Sequence, residues 1–194
     1  QWVKKLVKLI EPRKTDHFLE IGSGRGALTL AVAESGARIT AIEVDETLAI
    51  ELTATAPESV SVLAADFLTL DLNGLKLPRS TRVVGNLPYN LSAPILLKLL
   101  KFSSYGSRLA DAVLTEQLEV ADRITGLPGS RNWGPLAIAT QLHASPKRVL
   151  TLPPGAFRPM PKVRSAAVSL RFQRSHVQIQ SRALFNSLVR ALFT

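Results

Sequence analysis

The fold of this chain is decided by residues 17–26, which read His-Phe-Leu-Glu-Ile-Gly-Ser-Gly-Arg-Gly. The apolar residues at 18, 19 and 21 predict a buried strand, and the three glycines that follow predict a tight loop. An apolar helix is predicted next, over residues 28–33. Strand, glycine loop and helix in this order are typical of a nucleotide site in an α/β fold with a largely parallel sheet.

The spacing of the glycines distinguishes two kinds of cofactor. A dinucleotide site spaces its glycines as G-x-G-x-x-G, whereas this chain has Gly22-x-Gly24-x-Gly26 with Glu20 two residues ahead. Closely spaced glycines beside an acid suit a ligand whose amino-acid end carries an ammonium group and no phosphate. S-adenosylmethionine is such a ligand. A glycine loop alone is a weak signal, but this spacing disfavours a nicotinamide-dependent dehydrogenase.

Two further predicted strands also end in residues that could bind a nucleoside. The strand over 38–42 is followed by Glu43, which lies about 20 residues beyond the first glycine, where a ribose-binding carboxylate is expected. The strand over 60–64 is followed by Asp66 and Phe67. Asp66 could accept from an adenine amine while the Phe67 amide donates to the ring, although Asp66 could equally cap a turn. The carboxyl ends of parallel strands share one edge, where open α/β sheets bind ligands.

A polar turn follows the next predicted strand, where residues 84–90 read Val-Gly-Asn-Leu-Pro-Tyr-Asn. Asn86 offers a side-chain carbonyl, Leu87 a main-chain carbonyl and Tyr89 a flat ring. Pro88 stiffens the turn by fixing its own φ and restricting the residue before it. Two acceptors beside a stacking face suit the exocyclic amine of adenine, because they stabilise positive charge that develops on its nitrogen. The alternative is an ordinary turn with an Asn cap and a surface Tyr.

The remaining periodicity predicts the rest of an α/β domain. Helices are expected over 2–10, 94–100, 117–124, 136–142 and 181–193, and strands over 111–114, 147–152 and 167–172. The helix over 117–124 is expected to carry Glu116, Glu119 and Asp122. The last strand is expected to run antiparallel, since no crossover helix precedes it.

Composition indicates a globular protein. Of 194 residues, 46% are hydrophobic, and the absence of cysteine excludes disulfides and thiolate metal sites. No apolar run is long enough to span a bilayer, and no signal peptide is recognisable, so we expect a cytoplasmic protein with no membrane partner. Gln1 is not an initiator residue, and we therefore expect the true N-terminus to be missing.

Charge is divided unevenly along the chain. Residues 1–122 contain all 15 Asp and Glu together with 13 Lys and Arg, whereas residues 123–194 contain 11 Lys and Arg and no acid. An acid-free segment of this size predicts a polyanionic partner, most plausibly nucleic acid. The alternative is a solvated basic surface.

Together these motifs resemble the small-subunit (16S) ribosomal RNA adenine-N6 dimethyltransferases, the KsgA/RsmA-type family. The matching stretches run in the family's order over nearly the whole chain: residues 20–29, 41–45, 65–67 and 85–92, Gln117-x-Glu119-Val120-Ala121-x-Arg123, Gly134-x-Leu136, and Phe157-x-Pro159-x-Pro161-Lys162-Val163-x-Ser165-Ala166. The Asn-Leu-Pro-Tyr turn and the Phe-x-Pro-x-Pro-Lys-Val loop are together highly specific.

The resemblance implies a fold, a reaction and a substrate. The expected fold is a Rossmann-like class I methyltransferase with a mostly parallel seven-stranded sheet and helices on both faces. The expected reaction is methylation of adenine N6 in small-subunit ribosomal RNA with S-adenosylmethionine and no metal, by a monomer acting on an immature small subunit. Two adjacent adenosines near the 3′ end would each be dimethylated.

The resemblance and the local chemistry together imply roles for individual residues. The expected catalytic set is Asn86, Leu87, Pro88, Tyr89 and Phe157, with Tyr89 stacking on the target adenine and Phe157 covering its other face. The expected cofactor-binding set is Glu20, Gly22, Gly24, Gly26, Glu43, Val44, Asp66, Phe67 and Asn86. The expected phosphate contacts are Lys147, Arg148, Arg158 and Lys162, each of which taken singly could be a solvated surface charge.

The chain departs from the family pattern in four places. Ser23 replaces a usual Pro, and Arg164 replaces a usual Asp, changes that we expect to be tolerated. An N-terminal Gly-Gln-x-Phe-Leu segment and most of a helical C-terminal domain are missing. We expect residues 1–173 to form the methyltransferase domain and residues 174–194 to begin the truncated second domain. Such a chain is expected to bind cofactor weakly and RNA poorly.

Two alternatives remain beside the main interpretation. One is the large-subunit ribosomal RNA methyltransferase of antibiotic resistance, which shares the chemistry but acts on another RNA. The other is a non-catalytic RNA-binding or assembly factor on the same scaffold, which the intact Glu43, Asp66, Asn86 and Tyr89 disfavour.

Overall fold

The computed structural model describes residues 2–104, 108–157, 160–173 and 177–193. Within these ranges seven strands form one sheet: β1 (His17–Ile21), β2 (Arg38–Glu43), β3 (Val60–Ala64), β4 (Thr81–Asn86), β5 (Leu109–Gln117), β6 (Ala144–Leu152) and β7 (Ser165–Phe172). Their order is β3-β2-β1-β4-β5-β7-β6. Neighbours among the first five pair in parallel, whereas β7 is antiparallel to both β5 and β6. This confirms the mostly parallel seven-stranded sheet and the antiparallel last strand.

Helices in the described ranges are α1 (Trp2–Ile10), α2 (Ala27–Ala33), α3 (Glu46–Thr55), α4 (Ser92–Ser104), α5 (Leu118–Ile124), α6 (Pro135–Gln141) and α7 (Arg182–Leu192), with a 3-10 turn at Pro154–Ala156. In α1 the apolar stripe buries Leu6 and Ile10 while the lysines face solvent. The helix ends just before Pro12, which cannot continue it.

Two elements differ from the sequence-based expectation. Helix α3 was not predicted, because only Ala49 and Leu52 are buried and Ile50 is exposed, which weakens the apolar period. Its N-cap is Asp45, whose side chain accepts a hydrogen bond from the Leu48 amide at 3.1 Å. Aspartate is a preferred N-cap residue, so this start signal is present in the sequence. The placement of Glu116 on a helix was wrong. It lies in β5, where pairing with β7 extends the strand to Gln117.

The core lies in two layers, one on each face of the sheet. Successive strand residues point to opposite faces, so Val83 joins the layer beneath α4, α5 and α6, whereas Val84 joins the layer beneath α1, α2 and α3. Burial on both faces explains why the strands read as continuous apolar runs rather than as alternating patterns. No helix in the described ranges is both long and apolar enough to cross a bilayer.

The strand order creates a crevice between β1 and β4. From β1 the chain proceeds outward to β2 and β3 on one side, and from β4 it proceeds to β5 on the other. The loops that leave the carboxyl ends of these two strands therefore diverge, and such a switch point is where open α/β sheets bind ligands. Residues that follow β1, β2, β3 and β4 meet at this edge.

Candidate active site

The glycine loop after β1 adopts a backbone that few other residues could follow. Gly22, Gly24 and Gly26 have φ angles of 72°, 54° and 78°, all in the left-handed region. A Cβ atom at Gly26 would also lie 2.3 Å from a methyl carbon of Leu52 on α3. The loop is therefore held close to α3, and the Gly22 and Ser23 amides fix it to β2 by donating to the Ile42 carbonyl.

Glu43, the last residue of β2, fixes this loop. One carboxylate oxygen accepts from the Gly24 amide at 2.7 Å, and the other accepts from the Asp45 amide at 3.0 Å. The side chain is 7% exposed, so the carboxylate is held in one orientation. Each oxygen keeps a second lone pair, which could accept from a ribose hydroxyl.

Glu20 lies beneath the same loop at 2% exposure, and its Oε2 has no hydrogen-bond partner in the described part of the chain. Burial raises the pKa of Glu20 to about 7, and the nearby Glu43 carboxylate adds to this, while Thr29 opposes it. An unpartnered buried carboxyl is costly. A cationic ammonium placed near it would offset that cost, so the site favours a positively charged amino-acid group.

A shallow, mostly apolar cleft lies beside the glycine loop. Its lining includes Gly22, Val44, Asp66, Phe67 and Pro88, which come from the loops after β1, β2, β3 and β4. Val44 is 71% exposed, a large apolar surface next to the cleft. The cleft could accept a flat purine whose ribose reaches toward the end of β2.

Asp66 does cap a turn, as the alternative interpretation of the sequence allowed. Its Oδ1 accepts from the Leu68 amide at 2.8 Å, but the residue is exposed and its second oxygen is not used by a described residue. The cap and a ligand contact are therefore compatible. Phe67 is 4% exposed and contributes to the core beneath the cleft.

Lys98 stabilises this turn, a role that the sequence did not reveal. Its Nζ donates to the carbonyls of Leu68 at 2.9 Å and Leu70 at 2.5 Å, and it lies 5.4 Å from the centroid of the Phe67 ring. The available signal was a lone lysine within an otherwise apolar stretch of α4.

The turn after β4 lies directly across from the glycine loop. A Cβ atom at Gly22 would be 3.9 Å from the main-chain oxygen of Asn86, so the two turns are neighbours. Asn86 is exposed, and its side-chain amide makes no hydrogen bond to a described residue. Leu87, which is buried, anchors the turn through its amide, which donates to the Thr115 carbonyl at 3.3 Å.

Tyr89 is half-buried, and its hydroxyl lies 2.6 Å from the Ser165 hydroxyl at the start of β7. This bond ties the polar turn to the antiparallel strand. The ring is thereby held at the same edge of the sheet as Asn86.

The ring of Phe157 is largely buried, whereas stacking on an adenine would require an open ring face. It is 7% exposed, and its ring centroid lies 5.2 Å from that of Trp2, with the two rings tilted by 32°. The contact with α1 was not foreseen, because nothing local in the sequence links positions 2 and 157.

The basic residues expected to contact phosphate lie mainly on β6 and the loop before β7. Lys147, Arg148 and Lys162 are exposed, and Arg148 also pairs with Asp122 of α5. Arg158 lies outside the described residues. Lys147 and Lys162 therefore present positive charge to solvent, whereas the charge of Arg148 is partly neutralised by Asp122.

The fold and the crevice define a Rossmann-like, class I S-adenosylmethionine-dependent methyltransferase. The glycine loop, the unpartnered Glu20 oxygen and the apolar cleft fit the amino-acid and adenosine ends of S-adenosylmethionine. The model of one family, described as ribosomal RNA adenine dimethylase, matches residues 1–194. The chain belongs to the ribosomal RNA adenine dimethylase family, whose methyl donor is S-adenosylmethionine.

Individual relatives agree with this assignment. The chain is 37% identical over 195 residues to ribosomal RNA small subunit methyltransferase A of Xanthomonas euvesicatoria, an alignment that covers 99% of this chain and 73% of that protein. Among solved structures it resembles a dimethyladenosine transferase from Plasmodium falciparum with a TM-score of 0.80 and 25% identity, covering 97% of this chain and 67% of that one. It also resembles the 23S rRNA methyltransferase ErmE, with a TM-score of 0.77 and 26% identity, covering 99% and 76%.

Proposed function

We propose that this chain dimethylates the N6 amines of two adjacent adenosines near the 3′ end of small-subunit ribosomal RNA, as a monomer acting in the cytoplasm on an immature subunit. The observation that carries the proposal is the approach of the glycine loop to the Asn86 turn, with 3.9 Å between a Gly22 Cβ position and the Asn86 oxygen. A methyl donor held by the loop and an amine held by the turn would then be adjacent. The 37% identity to a small-subunit methyltransferase supports this RNA over the large-subunit one.

The proposed mechanism is mostly positioning. Bound S-adenosylmethionine supplies an electrophilic methyl group. The Asn86 side-chain oxygen and the Leu87 carbonyl accept from the adenine amine, hold its nitrogen in line with that methyl, and stabilise the positive charge that develops on it. The amine loses its proton readily once it is methylated and cationic, so no strong general base is required.

The target base must leave its stack to reach the turn. Stacking on Tyr89 contributes roughly 1–3 kcal/mol, comparable to the few kcal/mol that unstacking costs. Phe157 could cover the other face only if its ring left the contact with Trp2. Lys147, Arg148, Arg158 and Lys162 are proposed to hold phosphates, and Glu20, Gly22, Gly24, Gly26, Glu43, Val44, Asp66, Phe67 and Asn86 to hold the cofactor.

One experiment tests the substrate. The chain is incubated with methyl-labelled S-adenosylmethionine and, separately, with immature small subunits, naked small-subunit RNA and large subunits, and labelled adenines are mapped. We expect two adjacent adenosines in the small subunit to carry label. Label confined to large-subunit RNA would assign the antibiotic-resistance function, and RNA binding without label would assign the non-catalytic one.

A further inference from the structure

A buried carboxyl at Glu116 has no part in the mechanism above. The residue follows Thr115 near the end of β5, is 0% exposed, and points to the same face of the sheet as Leu114, beneath α4, α5 and α6. Neither of its oxygens has a hydrogen-bond partner among the residues that the structure describes. Burying an apolar side chain at this position would cost less free energy than burying a carboxyl, which indicates that the carboxyl has a function.

The strand neighbours of Glu116 are linked to the proposed catalytic turn, Thr115 directly and Gln117 through Ser165. The preceding residue, Thr115, pairs with Asn86 and accepts from the Leu87 amide. The following residue, Gln117, pairs with Ser165, whose hydroxyl bonds that of Tyr89. Glu116 therefore lies between the two strand positions that anchor the turn.

Ser92 makes no hydrogen bond to Glu116 in the described structure, but it is the polar side chain that acts on the carboxyl, and it also bonds to the turn. This residue begins α4, is 1% exposed, and its hydroxyl donates to the Pro88 carbonyl at 3.2 Å. The same hydroxyl is the polar group that acts on Glu116, lowering its pKa against the larger effect of burial, which raises it to about 7. A hydroxyl has one hydrogen to donate, so Pro88 and an ionised Glu116 would compete for it.

Protonation resolves that competition in favour of the turn. A neutral Glu116 can donate to the Ser92 oxygen, which leaves the Ser92 hydrogen on the Pro88 carbonyl. An ionised Glu116 can only accept, and it would draw that hydrogen away. The Pro88 carbonyl also accepts from the Leu91 amide at 2.9 Å, so its position affects the whole turn from Asn86 to Ser92.

Charged side chains on the packed elements are engaged elsewhere or exposed. Lys98 of α4 donates to carbonyls at the cleft, Asp122 of α5 pairs with Arg148, and Asp111 at the far end of β5 pairs with Arg82. The others on these elements and beside β7 are exposed: Lys101, Glu119, Arg123, Arg164 and Arg171. Burial and Ser92 are accordingly the influences on the carboxyl.

We propose that Glu116 is a positioning residue for methyl transfer, whose neutral carboxyl donates to Ser92 and so keeps the Pro88 carbonyl, and with it Asn86 and Tyr89, in the reactive arrangement. The inference rests on the proposed function of the Asn86 turn. In this proposal the conformation of the turn depends on the protonation state of Glu116, which does not contact the substrate.

Kinetics of two substitutions test the proposal in the full chain. Neither Glu116→Gln nor Glu116→Leu can ionise at this position, but only Glu116→Gln keeps a hydrogen-bond donor. We expect Glu116→Gln to retain kcat, and Glu116→Leu to lose about 10- to 100-fold in kcat with unchanged affinity for S-adenosylmethionine, since a small misplacement of reacting groups has effects of that size. Glu51→Gln, an exposed acid of α3, is the matched control and should change neither quantity.

The pH profile adds a readout that a packing role would not move. Between about pH 6 and about pH 8 the neutral fraction of a group with a pKa of about 7 falls roughly tenfold, so kcat of the unsubstituted chain should fall by up to that factor. At saturating S-adenosylmethionine, where ionisation of Glu20 does not limit cofactor binding, this fall should vanish in Glu116→Gln and persist in Glu51→Gln. An unchanged profile in Glu116→Gln, or normal kcat in Glu116→Leu, would overturn the proposal.

Amide hydrogen exchange separates failure of this inference from failure of the proposed function. The Leu87 and Leu91 amides report on the turn without any RNA. Glu116→Leu and Ser92→Ala should both speed their exchange, and the double variant should add little to either single change. Unchanged exchange rejects the positioning role even if the enzyme is active. Faster exchange in a chain that methylates no RNA supports the coupling and rejects the function.

Discussion

The side chain of Asn86 has an unusual position for an amide at the end of a buried strand. It is exposed and makes no hydrogen bond to a described residue, although the main chain around it is tightly held by Thr115 and by the Pro88–Ser92 contacts. A rigid backbone that presents a free acceptor is the arrangement that transition-state stabilisation requires.

Removal of this acceptor gives a residue-scale prediction. Asn86→Ala should lower kcat by about 10²- to 10³-fold, the usual effect of deleting one preorganised hydrogen-bonding group. Cofactor affinity should change much less, because Glu20, Glu43 and Asp66 remain. Labelled-methyl transfer and titration calorimetry measure the two quantities.

Asn73→Ala is the matched control for this substitution, since Asn73 lies in an exposed turn and does not line the cleft. It should leave kcat unchanged. Normal turnover in Asn86→Ala would remove Asn86 from the catalytic role.

At the scale of elements, the pairing of β1 with β4 depends on Gly85. A Cβ atom there would lie 2.8 Å from the Ile21 carbonyl oxygen and 2.9 Å from a methyl carbon of Leu87. Because one of these contacts is backbone, it cannot be relieved by rotating a side chain. The strands would have to separate at the edge where the two turns meet.

We therefore expect Gly85→Ala to destabilise the fold by about 1–3 kcal/mol, the usual range for overpacking. The activity that remains per folded molecule should also fall, because Asn86 is the next residue. Urea unfolding followed by circular dichroism measures the first effect. Gly155→Ala should be neutral, since nothing lies within 4 Å of its Cβ position; equal stability of the two variants would contradict the steric argument.

Two buried acids give a prediction for the whole molecule. Burial raises the pKa values of Glu20 and Glu116 from 4.5 to about 7. The folded state then keeps protons that the unfolded chain has released, so their contribution is fully present below about pH 4.5 and is lost as the pH rises through about 7. The expected slope is roughly 1.4 kcal/mol per pH unit for each group.

Urea unfolding at a series of pH values measures this slope. His17 contributes with the opposite sign near pH 6.5, because burial lowers its pKa and the unfolded chain binds the extra proton. Glu20→Gln should reduce the fall in stability by about half, since one of two groups is removed. A slope unchanged by this substitution would show that Glu20 ionises normally.

The division of charge along the chain gives a second prediction at this scale. With no acid beyond residue 122, the C-terminal part of the chain that contains β6 and β7 offers an excess of cations to a polyanion, although Arg148 pairs with Asp122. RNA affinity should therefore fall steeply with salt, with about 0.7–0.9 units of logarithmic slope for each phosphate contact.

Lys147→Ala and Lys162→Ala should each reduce that slope by roughly one contact. Lys76→Ala, which removes an exposed lysine from residues 1–122, where all the acids lie, should not. Filter-binding titrations at several salt concentrations supply the slopes. A flat salt response would place the RNA surface elsewhere.

Much of the fold followed from local sequence alone. Apolar runs predicted all seven strands to within a few residues, and the glycine spacing and the Asn-Leu-Pro-Tyr turn indicated the kind of ligand before any contact was known. Helix α3 was not predicted because its apolar period is weak, with only Ala49 and Leu52 buried. The one clear local signal for this helix is its N-cap, Asp45. The β5–α5 boundary was misplaced because strand pairing with β7, which is not visible locally, extends β5 through Glu116.

The sequence by itself determined the elements, the division of charge and the residues able to bind a methyl donor and an adenine, because propensity, periodicity and side-chain chemistry are local properties. Only the tertiary structure decided that Glu43 fixes the glycine loop, that Trp2 packs on Phe157, that Ser165 bonds Tyr89 and that Glu116 is buried near the turn after β4 with no hydrogen-bond partner among the described residues. Each of these depends on residues that are brought together by strand order and by packing across the sheet, and their burial is set by neighbours distant in the chain.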